Sequence, residues 1–251
     1  MFRVPPRAPY NRLMGVRELH PWQVDTSEAR LIQERLAPLV ARSGAPAEVH
    51  AVAGADLHVE RSRARAWARG AVVLLSYPGL EVVEQATFET EVTFPYVPGL
   101  LSFREAPVLL GAFRRLKGKP DLLLVDGQGY AHPRRFGLAC HLGLLLDVPT
   151  IGCAKSRLIG EHGPLGSAAG SRVDLTDGGD VIGSVLRTRD GVNPVFVSVG
   201  HRIGLDEAAE WVLRCCRGYR LPEPTRLAHQ AAGGRPLLPP RSSSGRIDSG
   251  G

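Results

Sequence analysis

The 251-residue chain predicts a mixed α/β domain, and three observations carry that reading. Between residues 47 and 92, three stretches alternate apolar and polar side chains and are divided by turn residues. Residues 122–126 and 149–153 are short, nearly continuous apolar runs. Stretches with helical apolar spacing stand between and around these. Alternation marks strands with one wet face, and continuous runs mark strands buried on both faces. One sheet is therefore expected, an antiparallel meander continued by parallel strands and flanked by helices.

In chain order, residues 1–24 are rich in Pro and Arg and read as an irregular arm before a single domain over 25–232. Asp25-Thr-Ser-Glu28 has the spacing of a helix cap, and Ala29, Ile32, Leu36 and Val40 follow at helical intervals. This helix is predicted to end near 43–46, with Pro38 kinking it or ending it early. Strands are predicted over 47–56, 67–76 and 80–92, the last two joined by the turn Tyr77-Pro-Gly79. A helix over 102–116, a strand over 122–126, a helix over 135–147 and a strand over 149–153 follow. The Gly-rich region 160–201 holds three further strands, over 171–175, 181–187 and 194–199. A helix over 205–217 and a short terminal helix with His229 complete the domain. Residues 233–251 are low in complexity and are expected to be a disordered tail, because they cannot bury enough surface to offset their ordering cost.

A hydrophobic content of 43% over this length suffices for one well-formed core. No run of about 18 apolar residues could cross a bilayer, and the N-terminus lacks the apolar core of a signal peptide, so a cytoplasmic protein that meets no membrane is expected. Four cysteines match no zinc-ligand spacing and fit buried thiols in a reducing compartment. The net charge of +6 suggests an anionic partner, although a solvated basic surface explains it as well. Lys117, Lys119 and Lys155 are the lysines among 31 basic residues, so Lys155, at the end of a buried strand, stands where a compact charge rather than a planar fork is used. Nothing in the sequence suggests more than a monomer.

Phe94-Pro-Tyr-Val-Pro-Gly-Leu-Leu-Ser-Phe-Arg-Glu-Ala-Pro107 joins an aromatic-tipped turn to a helix start that carries a carboxylate. Pro95 and Pro98 restrain the backbone around Tyr96, and Gly99 permits a sharp exit. An aromatic so restrained has little entropy to lose and suits insertion between stacked bases; packing of the turn against the core is the alternative. Asp56 and Asp126 each follow a buried apolar run and read as strand-end residues, Asp126 equally as a turn aspartate before Gly127. Glu105 lies three residues after Ser102, the spacing of a capping box, so the glutamate could simply cap the helix.

Several motifs together resemble the endonuclease V family. They are Ala-Gly-Ala-Asp56, the Pro-Tyr-Val-Pro turn, Phe103-Arg-Glu105, Asp121-Leu-Leu-Leu-Val-Asp-Gly-Gln-Gly129, Gly152-Cys-Ala-Lys155 and Leu221-Pro-Glu-Pro-Thr-Arg-Leu-Ala-His229, in order from Val52 to His229. The resemblance implies a ribonuclease H-like mixed sheet and a Mg²⁺-dependent nuclease, Mn²⁺ substituting, that cuts DNA at the second phosphodiester bond 3′ to deoxyinosine. It assigns Asp56, Glu105 and Asp126 as metal-holding carboxylates, because two strand-end aspartates left side by side repel and a cation is their natural partner. Lys155 takes a place near the scissile phosphate, and His229 that of the family's functional histidine. Pro95 and Tyr96 form the wedge, and Gly99, Leu101, Gly127 and Gly129 let backbone approach the extruded base. Arg104 and His132 are expected to contact substrate. His201 is a weaker candidate, and Val199 stands where many bacterial relatives carry proline. A nuclease for inosine-containing RNA and a damaged-base binding module without catalysis are the alternatives.

Overall fold

The computed structural model describes residues 15–61 and 66–237, so residues 1–14 of the predicted arm and 238–251 of the predicted tail lie outside the described residues. Residues 15–24 form neither helix nor strand, and Val16, Leu19 and Trp22 pack against the core from there. The helix α1 (Thr26–Leu36) starts on a complete capping box. Asp25 accepts from the Ser27 and Glu28 amides at 2.8 and 2.9 Å, and Glu28 accepts from the Asp25 amide at 3.0 Å. It ends at Pro38, which sits in a single 3₁₀ turn, so the proline stops the helix rather than bending it.

One sheet of eight strands organises the described residues: β1 (Ala51–Arg61), β2 (Ala66–Ser76), β3 (Val82–Glu91), β4 (Leu122–Val125), β5 (Thr150–Ala154), β6 (Arg172–Asp177), β7 (Asp180–Leu186) and β8 (Val195–His201). The spatial order is β3-β2-β1-β4-β5-β8-β7-β6. The first three strands are the antiparallel meander, β1, β4 and β5 run parallel, and β8, β7 and β6 continue antiparallel. The predicted mixed sheet with flanking helices is therefore the observed one.

Alternation along the strands sorts the core into two faces. Ala53, Ala55, Leu123 and Val125 meet α2 (Leu101–Phe113) and α3 (Leu138–Leu146) on one side. On the other, Val52, Leu122 and Leu124 join the cluster of α4 (Leu205–Arg214). On that same side Ala71, Val73 and Leu75 receive Ala228 and Ala231 of α5 (Glu223–Ala232).

Two departures from the predicted elements bear on function. The first strand was expected over 47–56, but β1 continues to Arg61, so Asp56 is mid-strand. Its partner β4 pairs only with Val52–Ala55. Beyond that point β1 goes on against β2 alone, and Asp56 stands at the step where the sheet narrows. The helix expected from 135 begins at Leu138, because the preceding loop folds back on itself, with the Gly137 and Ala139 amides donating to Gly129 and Gln128 carbonyls at 2.9 and 3.0 Å.

Candidate active site

The step beside Asp56 brings distant parts of the chain together. The Asp126 amide donates to the Ala55 carbonyl at 3.0 Å, which sets Asp126 beside Asp56 at the end of β4. Asp56 Oδ1 accepts from the Leu57 amide at 2.7 Å, and Oδ2 lies 2.7 Å from His229 Nδ1. An ionised carboxylate can only accept, so Nδ1 carries the hydrogen. Ligand atoms of Asp56, Asp126 and His229 all lie within 4.8 Å of one another. Lys155, immediately past β5, places Nζ 2.5 Å from Asp126 Oδ2. That contact is charge-to-charge without hydrogen-bond alignment, since the same oxygen is buried and has no hydrogen-bond partner.

Three supports stand behind these groups. A Cβ at Gly54 would fall 1.8 Å from the Pro224 carbonyl oxygen, so β1 admits α5 only because it has a glycine there. Arg220 donates from its guanidinium to the Lys155 carbonyl at 2.6 Å, and to those of Pro194 and Asn193 at 2.8 and 2.9 Å, which pins the residue that carries the ammonium. Gly152 does similar work for the 127–129 loop, whose Gly127 oxygen lies 2.8 Å from where its Cβ would be.

Asp56 and Glu105 hold protons more tightly than usual. Burial, and then the charge of Asp126, push the Asp56 carboxyl up, against hydrogen bonds from Leu57 and His229 and the charge of Lys155. Burial, then Asp56 and Asp126, push Glu105 up to about 7. Glu105 lines the same cleft as Asp126 and Lys155 but stands outside the tight cluster, where His229 is the third member. It is no helix cap: α2 has Leu100 as N-cap with no side-chain bond, and Ser102 Oγ has no partner. The donor set fits a hard divalent cation. Carboxylate oxygens with one imidazole converge, and the charges that raise Asp56 and Glu105 are those a cation relieves.

A cleft of about 390 Å³ is lined by Glu105 and Asp126 as well as by the aromatic turn, a size usual for a small-molecule pocket. Its walls include Tyr96, Gly99, Leu101, Gly127, His132 and Leu158. Tyr96 is 59% exposed, as an inserting side chain requires, and Pro95 beside it is exposed too. Two buried side-chain polar atoms without a hydrogen-bond partner, Ser102 Oγ and Gln128 Oε1, belong to residues that line this cleft. Buried polar atoms left unmatched in one place mark where a ligand supplies the missing partners.

The remaining expected contacts are buried, and of them His132 alone lines the cleft. Arg104 is buried, donates to the Phe94 carbonyl at 2.8 Å and does not line the cleft. Gly129 is buried against β8, where a Cβ would meet the Val199 oxygen at 2.2 Å. His132 is buried and pushed down to about 4, by burial first and then by Arg134, so it is neutral. Its Nδ1 accepts from the Arg134 amide at 3.2 Å, which leaves Nε2–H to donate to the Gly99 carbonyl at 3.0 Å. His201 is buried at the end of β8, where its Nδ1 accepts from the Ala41 amide at 3.2 Å.

The endonuclease V family model matches residues 34–230. Endonuclease V of Gloeobacter violaceus is 57% identical over 212 residues, 84% of this chain and 86% of that one. The crystal structure of endonuclease V from Streptomyces avermitilis superposes with a TM-score of 0.79 at 44% identity, covering 85% of this chain and 93% of that one. Endonuclease V of Ciona intestinalis, solved in complex with a 24mer DNA containing an inosine followed by a ribo-adenosine, superposes with a TM-score of 0.72 at 29% identity, covering 83% and 96%.

Proposed function

The chain belongs to the endonuclease V family, and from that premise we propose that it nicks DNA at deoxyinosine, the product of adenine deamination. In this reading it hydrolyses the second phosphodiester bond 3′ to the lesion, leaves a 3′-hydroxyl and a 5′-phosphate, and keeps the base in place. Mg²⁺ is the proposed ion, with Mn²⁺ as substitute, and the enzyme acts as a cytoplasmic monomer. The observation that carries the reading is a single cleft lined both by the proline-braced Tyr96 and by Glu105, Lys155 and Asp126, the last of which also belongs to the cluster with Asp56 and His229. The inosine-containing complex of the Ciona relative supports the choice of lesion.

A divalent cation held by Asp56 and Asp126, with His229 beside them, supplies Lewis-acid stabilisation of the phosphate and a lowered pKa for water. The chain's own groups do the rest. Lys155 keeps its ammonium against Asp126 and at the cleft wall, where it offsets charge that grows on the phosphate. Glu105, on the same cleft wall as Asp126 and Lys155, is the third carboxylate available to that divalent cation. His229 orients the Asp56 carboxylate through Nδ1. Tyr96 fills the stack that the lesion leaves. The extruded base meets Ser102 Oγ, Gln128 Oε1 and the backbone at Gly99 and Gly127, whose missing side chains let its edge come close.

DNA is the proposed substrate over RNA, supported by the inosine-containing DNA bound in the Ciona relative. End-labelled DNA and RNA strands with one inosine at the same position test this. Faster nicking of DNA, mapped to the second bond 3′ of inosine, is the expected result. Faster nicking of RNA moves the assignment to a ribonuclease, and tight binding without a nick moves it to a binding module.

A further inference from the structure

Gln33 has no part in the site described above, yet it is fully buried on α1 among Ala29, Ile32 and Leu36. A buried amide is costly unless all its hydrogen-bonding capacity is used. Here its Nε2 donates to the Gly99 carbonyl at 3.0 Å and to the Phe136 carbonyl at 3.2 Å, and its Oε1 accepts from Arg134 Nε at 2.5 Å. Arg134 in turn donates to the Gly99 carbonyl at 2.7 Å, and His132 Nε2 donates to it at 3.0 Å.

Three donors, one of them charged, thus converge on the Gly99 oxygen. A carbonyl oxygen has two lone pairs, so this one is used beyond its ordinary capacity. The other side of the same peptide is also held, because the Leu100 amide donates to the Val97 carbonyl at 2.9 Å. The locked peptide is the joint between the Tyr96 turn and α2, which carries Glu105. Its φ of +79° suits glycine alone, and a Cβ there would meet the Arg134 guanidinium at 2.9 Å.

We propose that Gln33 is a positioning residue for lesion recognition: through the Gly99 carbonyl it holds the Tyr96 turn and the pocket wall in the geometry that accepts an extruded base. It touches no nucleic acid, being buried, and acts by lowering the ordering cost of binding. Loosening the joint therefore weakens binding of a duplex whose base must be extruded and leaves groove binding to ordinary duplex alone. The inference rests on the proposed deoxyinosine activity.

The test is single-turnover nicking with Mg²⁺. The half-saturating concentration K½ is measured on a duplex with one deoxyinosine–thymine pair, and the inhibition constant Ki of the matched adenine–thymine duplex is measured as a competitor. Their ratio is independent of how much protein is correctly folded, which a merely structural role would change. Gln33→Leu fills the same space without hydrogen bonds and is expected to lower Ki/K½ about tenfold, by raising K½, with Ki within twofold of the parent's. A 2-aminopurine placed beside the lesion is expected to brighten less at saturation. If Gln33→Leu does not fold, Arg134→Ala, at a partly exposed site, removes the charged donor and carries the same ratio test. A ratio within twofold of the parent's in the folded variant overturns the inference. A parent enzyme with no preference for the lesion duplex overturns the proposed function instead.

Discussion

Pro224 in α5 lies directly on Gly54 in β1, so closely that any Cβ at position 54 would fall 1.8 Å from the Pro224 carbonyl oxygen. That contact decides where His229 stands relative to Asp56, since one residue is five positions beyond the proline and the other two beyond the glycine. Gly54→Ala must push α5 off the sheet. The expected outcome is a loss of roughly 1–3 kcal/mol of stability from overpacking, together with a loss of nicking activity that exceeds what the unfolded fraction explains. Thermal melting and single-turnover rates on the same preparation check both. A variant with parental activity contradicts this role for the contact.

His229→Ala removes the orienting partner of Asp56 Oδ2 but leaves both aspartates. A fall in activity of about 10–100-fold is expected, the range for groups that orient a metal ligand, with a higher Mg²⁺ concentration needed for half-maximal rate. An unchanged Mg²⁺ dependence points to a role for His229 away from the ion.

Arg220→Met severs three carbonyl contacts, including the one to Lys155. Hydrogen bonds from a charged donor contribute roughly 1.5–3 kcal/mol each at most, so melting drops measurably. The sharper expectation is a lower nicking rate at saturating substrate with little change in K½, because Lys155 acts on the developing charge. Arg220→Lys, which keeps a donor, recovers part of the rate.

Two sets of titrating groups give the metal-free protein opposite pH trends. Glu105 is raised from 4.5 to about 7, so its contribution to stability is fully present below pH 4.5 and is lost as the pH rises through about 7. Melting in EDTA should fall over that window, and Glu105→Gln should flatten the fall. His141 is fully buried, stands 2.6 Å from His20 through the two Nε2 atoms, and is pushed well below 6.5 by burial and then by His20. A depressed histidine contributes stability present above pH 6.5 and lost as the pH falls, because the unfolded chain takes up the proton first. His141→Phe should reduce that loss on acidification. A melting curve insensitive to either substitution contradicts the corresponding assignment.

Much of the architecture was legible because it is local and periodic. The Asp25 capping box, the alternation in the meander and the apolar runs of β4 and β5 each follow from spacing. The extent of β1 was not legible, since nothing within 57–61 shows that β2 supports it after β4 has ended. At the site, Asp56, Asp126, Lys155 and His229 stand close together, and Glu105 lines a cleft with Asp126 and Lys155. Arg104 and Gly129 turn inward because their partners, the Phe94 carbonyl and β8, are set by tertiary packing. Gln33 left a readable trace, a polar residue at a position where helical spacing from Ala29 calls for an apolar one. Arg220 left none, since its partners are 65, 27 and 26 residues away.

The central claim is that the Asp56–Asp126–His229 cluster and the Tyr96 turn form one metal-dependent site for deoxyinosine in DNA. Its most direct test is incubation of a single-deoxyinosine oligonucleotide duplex with the parent protein and with Asp126→Ala, each in Mg²⁺ and in EDTA. One nick on the 3′ side of the lesion is expected with the parent in Mg²⁺, and none in the other three reactions. Nicking that survives EDTA, or that Asp126→Ala retains in full, contradicts it.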